Sequence, residues 1–145
     1  MDYSAILDEM LSSQYYMFLA TSSPTGQPWA TPICYVRGEK NKLYFLSHNE
    51  SLHAYHIWAN PRVAFSIFDN KQLLGNAFWI QWCWIAKRID ATAFLIEIRE
   101  KLLSLVSMAI TQKEHSFYCI EIDEIYLPDA ERWKVGSALR TKIEL

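Results

Sequence analysis

The sequence predicts a mainly β, α+β fold in which the strands run antiparallel and the helices flank them. Three observations carry this. Between residues 15 and 47 lie apolar, β-prone runs joined by turns too short for the crossover that parallel neighbours require. Residues 63–68 and 118–123 alternate between two sets of side chains, the period of a strand. Two further segments repeat apolar residues at the three-four spacing of a helix that buries one stripe.

Taken in order, Tyr3, Ile6, Leu7, Met10 and Leu11 mark a first helix. Residues 15–22, YYMFLATS, form a strand that stops at Ser23-Pro24-Thr25-Gly26, where Pro fixes one torsion and Gly permits another. A second strand runs from Trp29 to Val36 and ends in the polar stretch Arg37 to Lys42; residues 43–47, LYFLS, make a third. Capping side chains in Ser47 to Ser51 then predict a short helix from Leu52 to Trp58, closed by Asn60-Pro61 because the residue before Pro is pushed out of helical torsions. Val63, Phe65 and Ile67 lead the next strand, and Asp69-Asn70 turns the chain. Residues 73–86 hold three Trp and no charge, and their boundary between strand and helix is open. From Ala91, the set Phe94, Leu95, Ile98, Leu102, Leu105, Val106 and Ala109 fits a helix, and His115 to Leu127 reads as one half-exposed strand ended by Pro128. The expected order is α-β-β-β-α-β-β-α-β in a single domain over 1–145.

Composition bounds the function classes. Hydrophobic residues make up 51% and charged ones 21%, enough apolar material for a core and too little charge for a disordered chain. A net charge of -2 with scattered basic residues offers no phosphate-tracking stripe, which argues against a nucleic-acid partner. The first residues are acidic where a secretory leader is basic, and no apolar run approaches the roughly 18 residues of a membrane span. With Cys34, Cys83 and Cys119 odd in number and unpaired by spacing, the expectation is a cytoplasmic protein with reduced thiols and no membrane partner. Six Trp, eight Tyr and seven Phe exceed what one core of this size hides, which favours a subunit interface or a planar ligand.

Gly26 to Val63, GQPWATPICYVRGEKNKLYFLSHNESLHAYHIWANPRV, resembles the pyridoxamine 5′-phosphate oxidase-like family of flavin-binding split β-barrels. The features that match are FLAT followed by a turn and GxP, a strand carrying TP, then YFLS, a polar loop with Ser, a short helix, and NPRV opening a strand; Gly75-Asn76-Ala77 resembles the GxA of the next strand. The resemblance implies an antiparallel six-stranded split barrel with Greek-key character and flanking helices. It also implies a homodimer with FMN in a groove at the subunit interface, and flavin-dependent oxidation or reduction of an unidentified small molecule. Carried over by position, Thr31, Pro32, Ile33 and Cys34 run along the flavin ring and Leu46 and Ser47 sit near the ribityl phosphate. Ser51, Leu52 and His53 form the phosphate corner, and Gln72 reaches the ring from an offset that is not the usual one. The resemblance identifies no catalytic side chain, because the flavin does the redox chemistry.

Departures from the family pattern carry equal weight. Members that hold FMN usually place Arg where Thr31 stands and Arg-Lys, or at least Lys, where Leu52-His53 stand. Each charged hydrogen bond contributes roughly 1.5 to 3 kcal/mol, so those losses weaken a phosphate site unless something replaces them. The donors left are the Ser47 and Ser51 hydroxyls, the amides at the mouth of the helix, and His53 when protonated, with Glu50 opposing the helix dipole. This motivates the alternative of a barrel without FMN that binds haem, a deazaflavin or another ligand as a non-enzymatic module. The end reads Trp133-Lys134-Val135-Gly136-Ser137-Ala138-Leu139-Arg140 and lacks the RLHDR-like stretch that grips pyridoxamine phosphate, which argues against that substrate.

Single residues have blander readings. His53 and His56 stand three apart on the short helix and could face one metal or a haem iron, but spacing places no third ligand, so no metal is expected. Phe78, Trp79, Trp82 and Trp84 read first as core or dimer packing, and Asp123, Glu124 and Arg132 as solvated charges. No GxSxG, HExxH, P-loop or GxGxxG occurs, which leaves serine hydrolase, zincin, phosphoryl-transfer and Rossmann chemistries without support.

Overall fold

The computed structural model describes residues 3–72, 78–90, 96–106, 113–122, 124–128 and 140–144. Helix α1 (Tyr3–Ser13) buries Leu7, Met10 and Leu11, with Tyr3 and Ile6 packed at the margin, as the three-four spacing requires. Strand β1 (Tyr16–Ser22) alternates between exposed and buried positions and turns through Ser23 to Gln27, where Gly26 takes φ +89°, a left-handed torsion that favours glycine. β2 (Pro28–Arg37) and β3 (Lys42–His48) follow, joined by a short 3-10 turn over Glu39–Asn41. Helix α2 (Leu52–Ala59) starts at Ser51, whose Oγ accepts the Ala54 amide at 3.3 Å, and ends where Asn60 turns extended before Pro61. β4 (Arg62–Phe68), β5 (Trp79–Ile89), α3 (Ile96–Leu105), β6 (His115–Glu121), β7 (Glu124–Pro128) and β8 (Arg140–Glu144) complete the order.

The strands hydrogen-bond in the order β4-β1-β2-β3-β6-β5, and a β4–β5 ladder closes these six into an antiparallel barrel. β7 and β8 extend the sheet outward from β5. Inward positions carry the larger apolar cluster, including Leu19, Ile33, Leu43, Phe45, Val63, Ile67, Ile80, Trp82 and Ile120. α1 closes onto this cluster, where the Tyr35 hydroxyl donates to the Leu11 carbonyl at 3.1 Å, and α2 adds Ala54 and Ile57. A second cluster lies on the outer face, where Leu102 of α3 meets Val36, Tyr44, Phe117 and Cys119.

The expected single strand from His115 to Leu127 is corrected to two. β6 ends at Glu121 and β7 starts at Glu124, because β6 pairs with both β3 and β5 inside the barrel while β7 lies between β5, near Gln81, and β8. Nor is β6 half-exposed: Ser116 to Ile120 are buried on both faces, since α3 covers the side that alternation assigned to solvent. The open boundary in 73–86 resolves as strand from Trp79 onward, continuing past the Trp-rich run through Lys87 and Arg88. The expected helix from Ala91 to Ala109 is observed as α3 over Ile96–Leu105; Phe94, Leu95 and Ala109 lie outside the described residues. Gly75-Asn76-Ala77, Asp123, Arg132 and Trp133 to Leu139 also lie outside them. β8 falls in a tail for which the sequence offered no element.

Candidate functional site

The barrel is split on one side. β2 pairs with β1 along Pro28 to Cys34, and β3 pairs with β6 along its whole length from Lys42 to His48. Between themselves, however, β2 and β3 share only Tyr35–Arg37 against Leu43–Phe45. Thr31, Pro32, Ile33 and Cys34 therefore stand on one lip and Leu46, Ser47 and His48 on the other, with no ladder joining them. Thr31 and Cys34 are half-buried, Pro32 is exposed, and Ile33 turns into the barrel core. Leu46 points to the outer cluster under α3. Burial pushes the Cys34 thiol above its ordinary value, which leaves it a poor nucleophile.

The polar end of the gap is built by β3 and α2. Ser47, an inward-facing residue, is 5% exposed, and its Oγ lies 2.9 Å from Ser51 Oγ and in hydrogen-bond contact with His53 Nε2. Ser51 Oγ is also 3.1 Å from His53 Nε2, so two hydroxyls and one imidazole form a closed triangle. Capping places Ser51 and helical geometry places His53 one half-turn on, which is why α2 presents both to β3. Burial, with His56 as a smaller cause, holds the His53 imidazole below its ordinary value, so at neutral pH the triangle is uncharged. Leu52 lies on the outer surface of the same helix, 45% exposed.

His56 turns elsewhere. It is 3% exposed, and its Nδ1 sits 3.0 Å from Thr21 Oγ1 on β1, so the histidines of α2 serve different partners. Gln72 is engaged as well: its Nε2 donates to the carbonyls of Asp69 at 3.1 Å and Phe78 at 2.7 Å, while its Oε1 accepts the Phe78 amide. The side chain thus staples the β4–β5 connection, and it would reach a ligand only by giving up those bonds. Among the described residues no group of three or more His, Cys, Asp or Glu is arranged to hold a metal ion.

The sequence reading missed two polar pairs, Thr21 with His56, both buried, and the buried Ser116 with the half-buried Asn49, the latter pair at 2.5 Å. Strand parity carried a signal for both, since Thr21 follows Leu19 by two and Ser116 precedes Tyr118 by two, positions that face inward. The outer face of β1 and β4 is strongly aromatic: Tyr16 is 60%, Phe18 44% and Phe68 44% exposed, with Phe18 and Phe68 stacked at 5.7 Å between centroids. Trp82 by contrast is core, packed between Trp84 and Tyr126, and its Nε1 is a buried donor without a partner among the described residues.

The sequence model of the family described as Pyridoxamine 5'-phosphate oxidase matches residues 5–127. Among curated proteins none matches. The fold is similar to that of a heme binding protein from Mycobacterium smegmatis, with TM-score 0.72 and 16% identity over 93% of this chain and 55% of that one, so the chain spans about half of that relative. It is similar also to HutZ, described as the heme storage protein from Vibrio cholerae, with TM-score 0.66 and 13% identity over 81% of this chain and 88% of that one. A FAD-binding protein from Mesorhizobium loti aligns with TM-score 0.67 and 18% identity over 86% of this chain and 92% of that one.

Proposed function

Since the chain belongs to the pyridoxamine 5′-phosphate oxidase family, we propose that it is a flavoprotein that holds FMN along the β2–β3 gap and uses it to oxidise or reduce a small molecule. The observation that carries this reading is the split itself: the ladder covers only Tyr35–Arg37, and the expected ring-side residues Thr31 to Cys34 stand across the gap from the expected phosphate-side residues Leu46 and Ser47. Ser47, Ser51 and His53 converge where a phosphate would end, and each can turn a hydrogen toward an anion once their mutual bonds open. A bound flavin would supply the electron transfer; the chain's own residues would orient it, shield one side and hold its phosphate. Residue types fit the group only in part, because no permanent cation stands at positions 31, 52 or 53. Binding would therefore draw on protonation of His53. The tail lacks the residues expected to grip pyridoxamine phosphate, so the substrate is a different small molecule.

The exposed aromatic face of β1 and β4 supports a homodimer, since side chains of that size in water are the material of an obligate interface. A second reading, haem in place of FMN, is favoured by the uncharged triangle and by the likeness of the fold to a heme binding protein and to HutZ, a heme storage protein. The absorbance spectrum of freshly purified protein, followed by FMN titration, decides between them. Flavin bands, or saturable quenching of FMN fluorescence, support the first reading; a Soret band, with no response to FMN, overturns it.

A further inference from the structure

A second cavity of about 560 Å³ opens between α2 and the paired strands β5 and β6, a volume in the range of small-molecule sites. None of Thr31 to Cys34, Ser47, Ser51 or His53 lines it, so it is separate from the gap just described. One wall is aromatic: Tyr55 and Trp58 lie 6.1 Å apart between ring centroids, and Trp58 is 81% exposed. Tyr118, 4% exposed, also lines the cavity and is stacked on Phe45 at 5.0 Å with 10° between planes. Pro61 and Ala86 add apolar lining, and among the described residues no Asp or Glu contributes.

The charge in the lining has a definite source. Arg88 is the cross-strand partner of Tyr118, and directly paired residues share a sheet face, so its side chain rises on the cavity side. In keeping with this, the guanidinium partly offsets the rise that burial gives the Tyr118 phenol. Lys87 also touches the cavity, but it pairs with Cys119 and faces the other way, where its ammonium is felt by Cys119 and Glu121. One planar, permanently charged fork therefore stands beside three aromatic rings. A guanidinium takes a carboxylate through two parallel hydrogen bonds, and the rings offer stacking to a flat body.

We propose that this cavity is a binding site for a small aromatic carboxylate, with the ring against Tyr55, Trp58 and Tyr118 and the carboxylate on Arg88. The site owes nothing to the flavin reading and stands or falls apart from it. The probe is 2-naphthoate, titrated by calorimetry beside its uncharged analogue 2-naphthylmethanol. Saturable binding is expected with a dissociation constant of about 0.1 to 1 mM, and about tenfold weaker for the alcohol. Arg88→Gln should weaken naphthoate about tenfold, Arg88→Lys should recover part of the loss, and Lys87→Gln, a matched change of charge, should leave the affinity as it is. Trp58→Ala should weaken both compounds alike. Protein preloaded with FMN should bind naphthoate unchanged. Absence of saturation, equal effects of Arg88→Gln and Lys87→Gln, or displacement of naphthoate by FMN would each overturn the proposal.

Discussion

Replacing His53 by Lys tests the uncharged triangle most directly. In the parent, His53 Nε2 meets the hydroxyls of Ser47 and Ser51, and burial keeps the ring neutral near pH 7. Three neutral donors would give FMN phosphate roughly 0.5 to 1.5 kcal/mol each, whereas one ammonium-phosphate bond contributes roughly 1.5 to 3 kcal/mol. His53→Lys therefore gains about 1 to 1.5 kcal/mol at the phosphate, or roughly five- to tenfold tighter FMN. Without ligand the sign reverses, because an ammonium replaces a neutral ring in a half-buried place and loses hydration, so the free variant should melt below the parent. FMN should then raise its melting temperature by more than it raises the parent's. Ser47→Ala removes one donor and should loosen FMN by roughly two- to tenfold. Fluorescence quenching gives the affinities and calorimetry the melting temperatures. Unchanged FMN affinity in both variants would refute the assignment of this corner to the phosphate, and riboflavin, which lacks the phosphate, should respond to neither change.

The same group sets a pH dependence. His53 has its folded pKa below the ordinary 6.5, so in the window below 6.5 the unfolded chain binds more protons; its contribution to free-protein stability is complete above that window and lost as pH falls through it. FMN should reverse the trend and bind more tightly as pH drops from about 7.5 to 6, and the ratio of parent to His53→Gln affinities cancels the titration of the flavin's own phosphate, which falls near pH 6. A ratio constant across that range sinks the linkage. Thr21→Val leaves the buried His56 Nδ1 without its partner and should cost roughly 1 to 3 kcal/mol in urea unfolding, against near-zero cost if water replaces the hydroxyl. Phe18→Glu, on the exposed face stacked against Phe68, should convert a dimer to monomers in light scattering; a monomeric parent would remove the proposed interface.

Much of the fold was legible because local physics decides it. Three-four spacing sufficed for α1, capping and the Asn60-Pro61 stop for α2, and Ser23 to Gly26 for the β1–β2 turn, since each depends on residues within one or two turns of chain. Alternation placed β4, and the short connections made β1 to β3 antiparallel. Single-residue chemistry was legible too: the absence of Arg or Lys at positions 31, 52 and 53 is a fact of the sequence that no folding alters.

What the tertiary structure decided are the contacts between distant segments. Only the β4–β5 ladder closes the barrel, and only the early end of the β2–β3 ladder opens the gap. Alternation in β6 suggested a solvent face, yet α3 covers it, because burial depends on what packs from elsewhere and not on a strand's own pattern. That β6 ends at Glu121 and a separate β7 starts at Glu124 was invisible for the same reason: β6 answers to β3 as well as β5, and β7 to β8. At the site, the sequence supplied Ser47, Ser51 and His53 as separate donors, and only folding bonded them to each other and set the imidazole neutral. Gln72 was taken by two backbone carbonyls and an amide, and Arg88 was set beside Tyr118 by cross-strand register. Periodicity tells which way a side chain leaves its own strand; what waits there is set by chain that lies tens of residues away.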